Sequence, residues 1–233
     1  MSSKERNFEI AYLIEKHMNG NSNDVAFKYR GVLCFDHLFA YTQSFDKPAG
    51  MVCDHDAITD TALWLSSYLA HWGMFRGSSK LKETNIVFFK DLVTELLHSK
   101  TGILNTIAHL QFHELATVDA VVLDNIFHRI ATVLQKVNVT PTGTLLSKVI
   151  LGLTHNVPGY DRYFVAGIKQ LQSEGRIDRR VGPKLTGKNV IALSEWYAER
   201  DWPVVKSPVN GLPLPSGRLV DMVLNQYGRD NAA

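Results

Sequence analysis

The sequence predicts an all-α protein: a single compact multi-helix domain over 1–233, with a Pro-rich C-terminal arm at 202–217. Three observations predict it. Apolar residues recur at spacings of three and four along most of the chain. No stretch sustains the two-residue alternation of a half-buried strand. Pro48 with Gly50, Pro141 with Gly143 and Pro158 with Gly159 fall between the periodic segments, where a helix has to stop or start.

The elements follow in order. Phe8, Ala11, Tyr12, Ile14 and His17 approximate one face of a first helix, and "RGVLCFDHLFAYTQSF" predicts a second. "DKPAGMVCDHD" is a loop. "DAITDTALWLSSYLAHWGMF" predicts a long helix, with Leu65, Leu69 and Trp72 on its apolar face and Gly77 as its left-handed cap. Trp72 is therefore expected to be buried. "TNIVFFKDLVTELLHSK" restarts a helix behind Thr84, and "GILNTIAHLQFHEL" predicts a shorter one. In "TVDAVVLDNIFHRIATVLQKVN", Val122, Ile126, Ile130, Val133 and Val137 step at helical spacing. "TPTGTLLSKVILGL", capped by Thr142 or Thr144, and "GYDRYFVAGIKQLQSEG", ending at Gly175, form a helical hairpin around "HNVPGYD". "GKNVIALSEWYAERD" is another helix. "WPVVKSPVNGLPLPSG" holds four of the eight prolines and predicts an extended arm packed along the surface. "GRLVDMVLNQYG" predicts a last short helix.

Composition bounds the function less tightly. A hydrophobic fraction of 45% supports a sizeable core, and 21% charged residues argue against disorder. A net charge of +2 favours no partner class. Cys34 and Cys53 make no disulfide framework, the charged start is unlike a secretory signal, and a reducing cytoplasm is expected. No apolar run reaches the ~18 residues of a membrane span. No cofactor and no metal are expected. "HLQFHE" puts His109 and His113 at i, i+4 but lacks the Glu position of a zinc protease, and "CDHD" reads as a loop with Asp56 capping a helix. No Gly-x-Ser-x-Gly elbow supports a Ser-His-Asp triad.

Two stretches carry the candidate site. In "WGMFRGSS", Arg76 supplies forked donors while Ser78 and Ser79 supply hydroxyls and N–H groups, a set suited to a phosphate or carboxylate. The same residues also suit a helix C-cap, and sequence leaves both open. In the hairpin, Pro158-Gly159 makes the turn and Asp161 suits the N-cap of the following helix. "VPGYDRYFVAGI" resembles the apolar-Pro-Gly hairpin of the helix-hairpin-helix DNA glycosylases. That resemblance implies an all-α, DNA-binding protein whose turn grips phosphates ahead of a helix, with base-directed chemistry. It makes Lys148, Asp161 and Arg162 candidates for anion binding, although Asp161 stands where the family has Gly and Lys148 precedes the turn. "WGMFRGSS" with "SKVILG…VPGYDRYF" also resembles a family of uncharacterised bacterial proteins, which implies no function.

Beyond the hairpin the charge shifts. Arg162, Lys169, Arg176, Arg179, Arg180, Lys184 and Lys188 face only Glu174 and Asp178, so this segment is +5. Arg176, Arg179, Arg180, Lys184 and Lys188 are thus the candidate nucleic-acid contacts. The expected function is binding of a nucleic acid or a phosphorylated ligand where hairpin, connector and "FRGSS" converge. Two alternatives stand beside it: a protein-interaction or assembly subunit using the arm and last helix, and a small-molecule enzyme with a hidden pocket.

Overall fold

A computed structural model describes residues 3–19, 31–43, 55–76, 79–97 and 101–231, with side chains of the first helix from Ile10 onward. Among the described residues it is all-α. The helices are α1 (Ser3–Asn19), α2 (Cys34–Gln43), α3 (His55–His71), α4 (Ile86–Leu97), α5 (Ala120–Gln135), α6 (Gly143–Thr154), α7 (Arg162–Ser173), α8 (Gly187–Ala198) and α9 (Ser216–Asn231). One contiguous apolar cluster runs from Ile10 to Leu224.

The segment expected to be a short last helix is the centre of this fold. α9 is 16 residues long, and every residue from Ser216 to Gln226 is buried. It packs on α1 and α7. The α7–α9 crossing is close because Gly167 and Gly228 sit in it. A Cβ on Gly167 would strike the Leu224 carbonyl, and one on Gly228 the Tyr163 carbonyl. That proximity places the start of α7 against the polar side of α9.

Several boundaries differ from the sequence expectation. α3 stops at His71 rather than running to Phe75. Gly73, with φ of 72°, takes the left-handed position. The Gly73 N–H donates to Ala70 and the Met74 N–H to Leu69, the paired bonds that close a helix end. Gly77, the expected cap, lies outside the described residues, as do Ser78 and Cys53. Trp72 therefore sits in the turn and is half-buried, not on the apolar helix face.

Residues 101–117 form turns and a 3-10 helix (Phe112–Thr117) instead of an α-helix. Their hydrogen bonds go elsewhere. Ile103 and Leu104 donate to the last carbonyls of α4, and Asn156 Nδ2 donates to the Ile107 and Leu110 carbonyls. His109 and His113 consequently share no helical face. Among the described residues no group of three His, Cys, Asp or Glu could hold a metal ion.

In α5 the buried stripe is Leu123, Ile126, Phe127, Ile130 and Leu134, while Val122 and Val137 are exposed. Both stripes have helical spacing. Turning Leu and Phe inward removes more apolar surface from water than turning Val inward. At the start of α4, Asn85 rather than Thr84 accepts the Val87 N–H, and the Thr84 hydroxyl donates to Leu81. Thr142 caps α6.

In the arm, Trp202 stacks on Tyr197 at 4.6 Å and donates its indole N–H to the Tyr197 carbonyl. Lys206 and Pro213 form an isolated antiparallel bridge. The last two residues of 202–217 already belong to α9. No helix among the described residues is long and apolar enough to cross a membrane.

Candidate functional site

The polar residues of α9 fall on one face. Arg218, Asp221, Asn225 and Arg229 are spaced by three, four and four, so they stack above one another along the helix. Facing them are Lys148 of α6 and Asp161 at the start of α7. Lys148, Arg218 and Asp221 are fully buried.

The bonds form a ladder. Asp221 Oδ1 lies 3.2 Å from Lys148 Nζ and accepts the Gly159 N–H at 3.0 Å; its Oδ2 accepts from Arg218 Nη1 at 2.8 Å. Asp161 lies 3.3 Å from Lys148, caps α7 by accepting the Tyr163 and Phe164 N–H groups, and accepts from Asn225 Nδ2. Asn225 Oδ1 accepts from Arg229 Nε at 2.8 Å. Cations and carboxylates thus alternate from Arg218 to Arg229. Pairing of this kind is what permits charge inside a fold.

Aromatic rings frame the ladder. Lys148 Nζ lies 4.1 Å from the centre of the Trp72 ring. The Arg218 guanidinium lies 4.8 Å from Phe35 and 5.7 Å from Trp72. His17, near the end of α1, stacks on Trp72 at 6.2 Å.

Several buried polar atoms here have no hydrogen-bond partner among the described residues: Arg218 Nε and Nη2, Trp72 Nε1, Tyr68 Oη, His17 Nε2 and both carboxylate oxygens of Asp36. The electrostatics agree with the geometry. His17 is held well below the usual imidazole range, first by burial and then by the charges of Arg218, Arg229 and Lys148. After burial, the same three cations lower His71. Burial raises the Asp36 carboxyl against the opposing influence of Arg218 and Ser207. Around Trp72 the field is therefore positive, despite the two paired aspartates.

No protein family, curated protein or solved structure matches this chain. The site stands on its own chemistry.

Of the residues singled out from sequence, Lys148 and Asp161 meet in the ladder, and Asp161 is the expected cap. The hairpin turn is buried, and two of its donors serve the fold: Gly159 N–H goes to Asp221 and Tyr160 N–H to Ser147. Arg162 is exposed and lies against its neighbour Tyr163. Arg76 is exposed, and its side chain makes no hydrogen bond or ion pair with a described residue. Ser79 turns inward instead, donating to the Met74 carbonyl at 2.8 Å.

In the connector, Arg176 pairs with Glu174, and Arg180 pairs with Asp178 and Glu195. Arg179, Lys184 and Lys188 are exposed and make no ion pair among the described residues. The connector leaves the far end of the 12-residue α7 from Asp161, about 18 Å along that helix at 1.5 Å per residue, and then folds back so that Leu185 packs against Gly143, whose neighbour Thr144 donates to the Tyr160 carbonyl.

Sequence reasoning missed Arg218, Asp221, Asn225 and Asp36. A signal was present: three polar residues at three- and four-residue spacing, with Leu, Val and Met at nearly every other position between them. Such a helix buries its polar stripe too. It also leaves little of α9 for a protein partner, so the arm's exposed Val204 and Leu212 would have to serve alone.

Proposed function

We propose that the protein binds a nucleic acid, with the α9 ladder taking an anionic or polar group of the strand and the connector holding its backbone. The supporting observation is the surplus of donors beside Trp72. Arg218 Nε, Arg218 Nη2 and Trp72 Nε1 are buried with no hydrogen-bond partner among the described residues, in a place where Lys148, Arg218 and Arg229 together oppose protonation of two histidines. Each unmatched buried donor costs about 1–3 kcal/mol, which an anionic acceptor would offset.

Three exposed cations without an ion pair among the described residues, spread over residues 179–188, favour a strand with several phosphates over a small phosphorylated ligand with one. Arg179, Lys184 and Lys188 then act as backbone contacts independent of base sequence.

The test is the anisotropy of a labelled single-stranded oligonucleotide measured across a salt series. Replacing Arg179, Lys184 and Lys188 together by Gln should reduce the slope of log affinity against log salt by about 2, the value for three lost contacts on a single strand. Arg229→Gln should weaken binding at every salt concentration. A slope unchanged by the triple substitution would overturn the reading.

A further inference from the structure

A cavity of about 520 Å³ lies beside His155, whose ring meets Phe35 edge-on at 5.6 Å. One wall is the arm, from Leu212 to Pro215. Phe39, Thr42 and His155 also line the cavity, as does His109, which is exposed. Its volume is that of a site for a small organic molecule. Among the described residues that line it none is Lys, Arg, Asp or Glu. The described lining therefore offers no counter-charge to a phosphate or an ammonium.

The floor is short of hydrogens. His155 Nδ1 faces the Leu151 carbonyl at 3.2 Å, an acceptor only, so the ring proton sits on Nδ1 and Nε2 presents a lone pair. Burial keeps this imidazole neutral, with its pKa lowered to about 4. Thr42 Oγ1 lies 2.9 Å from that lone pair but also 3.0 Å and 3.1 Å from the Phe39 and Leu38 carbonyls. One hydroxyl hydrogen thus faces three acceptors. The ring is also held on a residue with φ of 65°, a left-handed conformation uncommon outside glycine. Phe39 and Phe35 meet it edge-on. Pro213 and Pro215 add rigid apolar surface to the lining.

We propose that this cavity binds an uncharged planar heterocycle that directs an N–H or amino group at the Thr42–His155 pair, of the class of an amino-bearing nucleobase. The heterocycle comes either as a free nucleoside or as one base of a strand. The inference rests on the cavity alone and does not depend on the anion reading of the α9 ladder.

Saturation-transfer NMR with adenosine, cytidine, guanosine and a short oligodeoxyadenylate tests it. At least one probe should bind, and purine riboside, which lacks the amino group of adenosine, should bind at least tenfold more weakly than adenosine if adenosine is the ligand. Adenosine monophosphate should bind no more tightly than adenosine. Leu212→Trp, at a position 44% exposed, should fill the cavity and abolish binding with an unchanged melting temperature. His109→Ala, also at the surface, should weaken it. Binding of a nucleoside assigns a free ligand; binding of the oligonucleotide alone assigns a base within a strand. Failure of every probe to bind at millimolar concentration, or binding that Leu212→Trp leaves intact, overturns the proposal.

Discussion

Lys148 Nζ and Asp221 Oδ1 lie 3.2 Å apart, both side chains fully buried and 73 residues apart in the chain. Asp221 also holds Arg218 and the Gly159 N–H. Asp221→Ala would leave two cations buried beside a single remaining carboxylate, Asp161. Removing one member of a buried pair costs about 3–5 kcal/mol. Urea unfolding should show that loss as a lower midpoint with the slope unchanged. Lys148→Met should cost less, because Asp221 keeps Arg218 and the backbone N–H.

Stability should fall as pH drops from 6.5 toward 4. His155 has a folded pKa of about 4, below the ordinary 6.5, so over this window the unfolded chain takes up a proton that the folded chain refuses. The contribution is complete above pH 6.5 and lost progressively below it, about 3 kcal/mol in all at 1.36 kcal/mol per unit. His17, also held low, acts with the same sign. Asp36, held high, acts with the opposite sign above pH 3.8. Denaturant unfolding at pH 7.5 and 4.5 should therefore show a smaller difference in His155→Gln than in the parent chain.

The α7–α9 crossing should tolerate no side chain. Gly167→Ala puts a methyl group against the Leu224 carbonyl, which belongs to backbone and cannot rotate away. A loss of about 3 kcal/mol or more is expected, the upper range for overpacking. Gly175→Ala is the control. Nothing lies within 4 Å of its Cβ position, so only the strain of its φ of 69° should appear, about 1 kcal/mol. Paired melting curves of the two variants check this.

Arg76→Ala should leave stability within about 0.5 kcal/mol of the parent, since the side chain is exposed and bonded to no described residue. A loss of 1–3 kcal/mol by chemical denaturation would show that Arg76 braces the helix end after all.

The connector was legible as a charged run, but its ion pairs were not. The sequence places Asp178 near Arg180 by number alone, while Glu195 reaches Arg180 only because α8 folds back beside the connector. The same holds for α3. Either Gly73 or Gly77 could cap it by residue type. Among the described residues Gly73 takes the left-handed position, and Ser79 lies inward, where its carbonyl accepts the Thr140 N–H.

By itself the sequence determined the helical class, most helix positions and the cap at Asp161, and it narrowed the α6 cap to Thr142 or Thr144. These depend on spacing and on bonds spanning a few residues, and both are written locally. Tertiary structure decided which face of α5 turned inward, why 101–117 is not an α-helix, and that α9 runs through the core. It also decided that Lys148, Asp161, Arg218 and Asp221 form one site. The bonds that tie α9 to α6 and α7, Lys148–Asp221 and Asn225–Asp161, span 73 and 64 residues, and a buried charge looks the same in sequence as an exposed one. Only the packing of α6, α7 and α9, set by glycines at the crossing, brings the opposite charges close enough to be buried together.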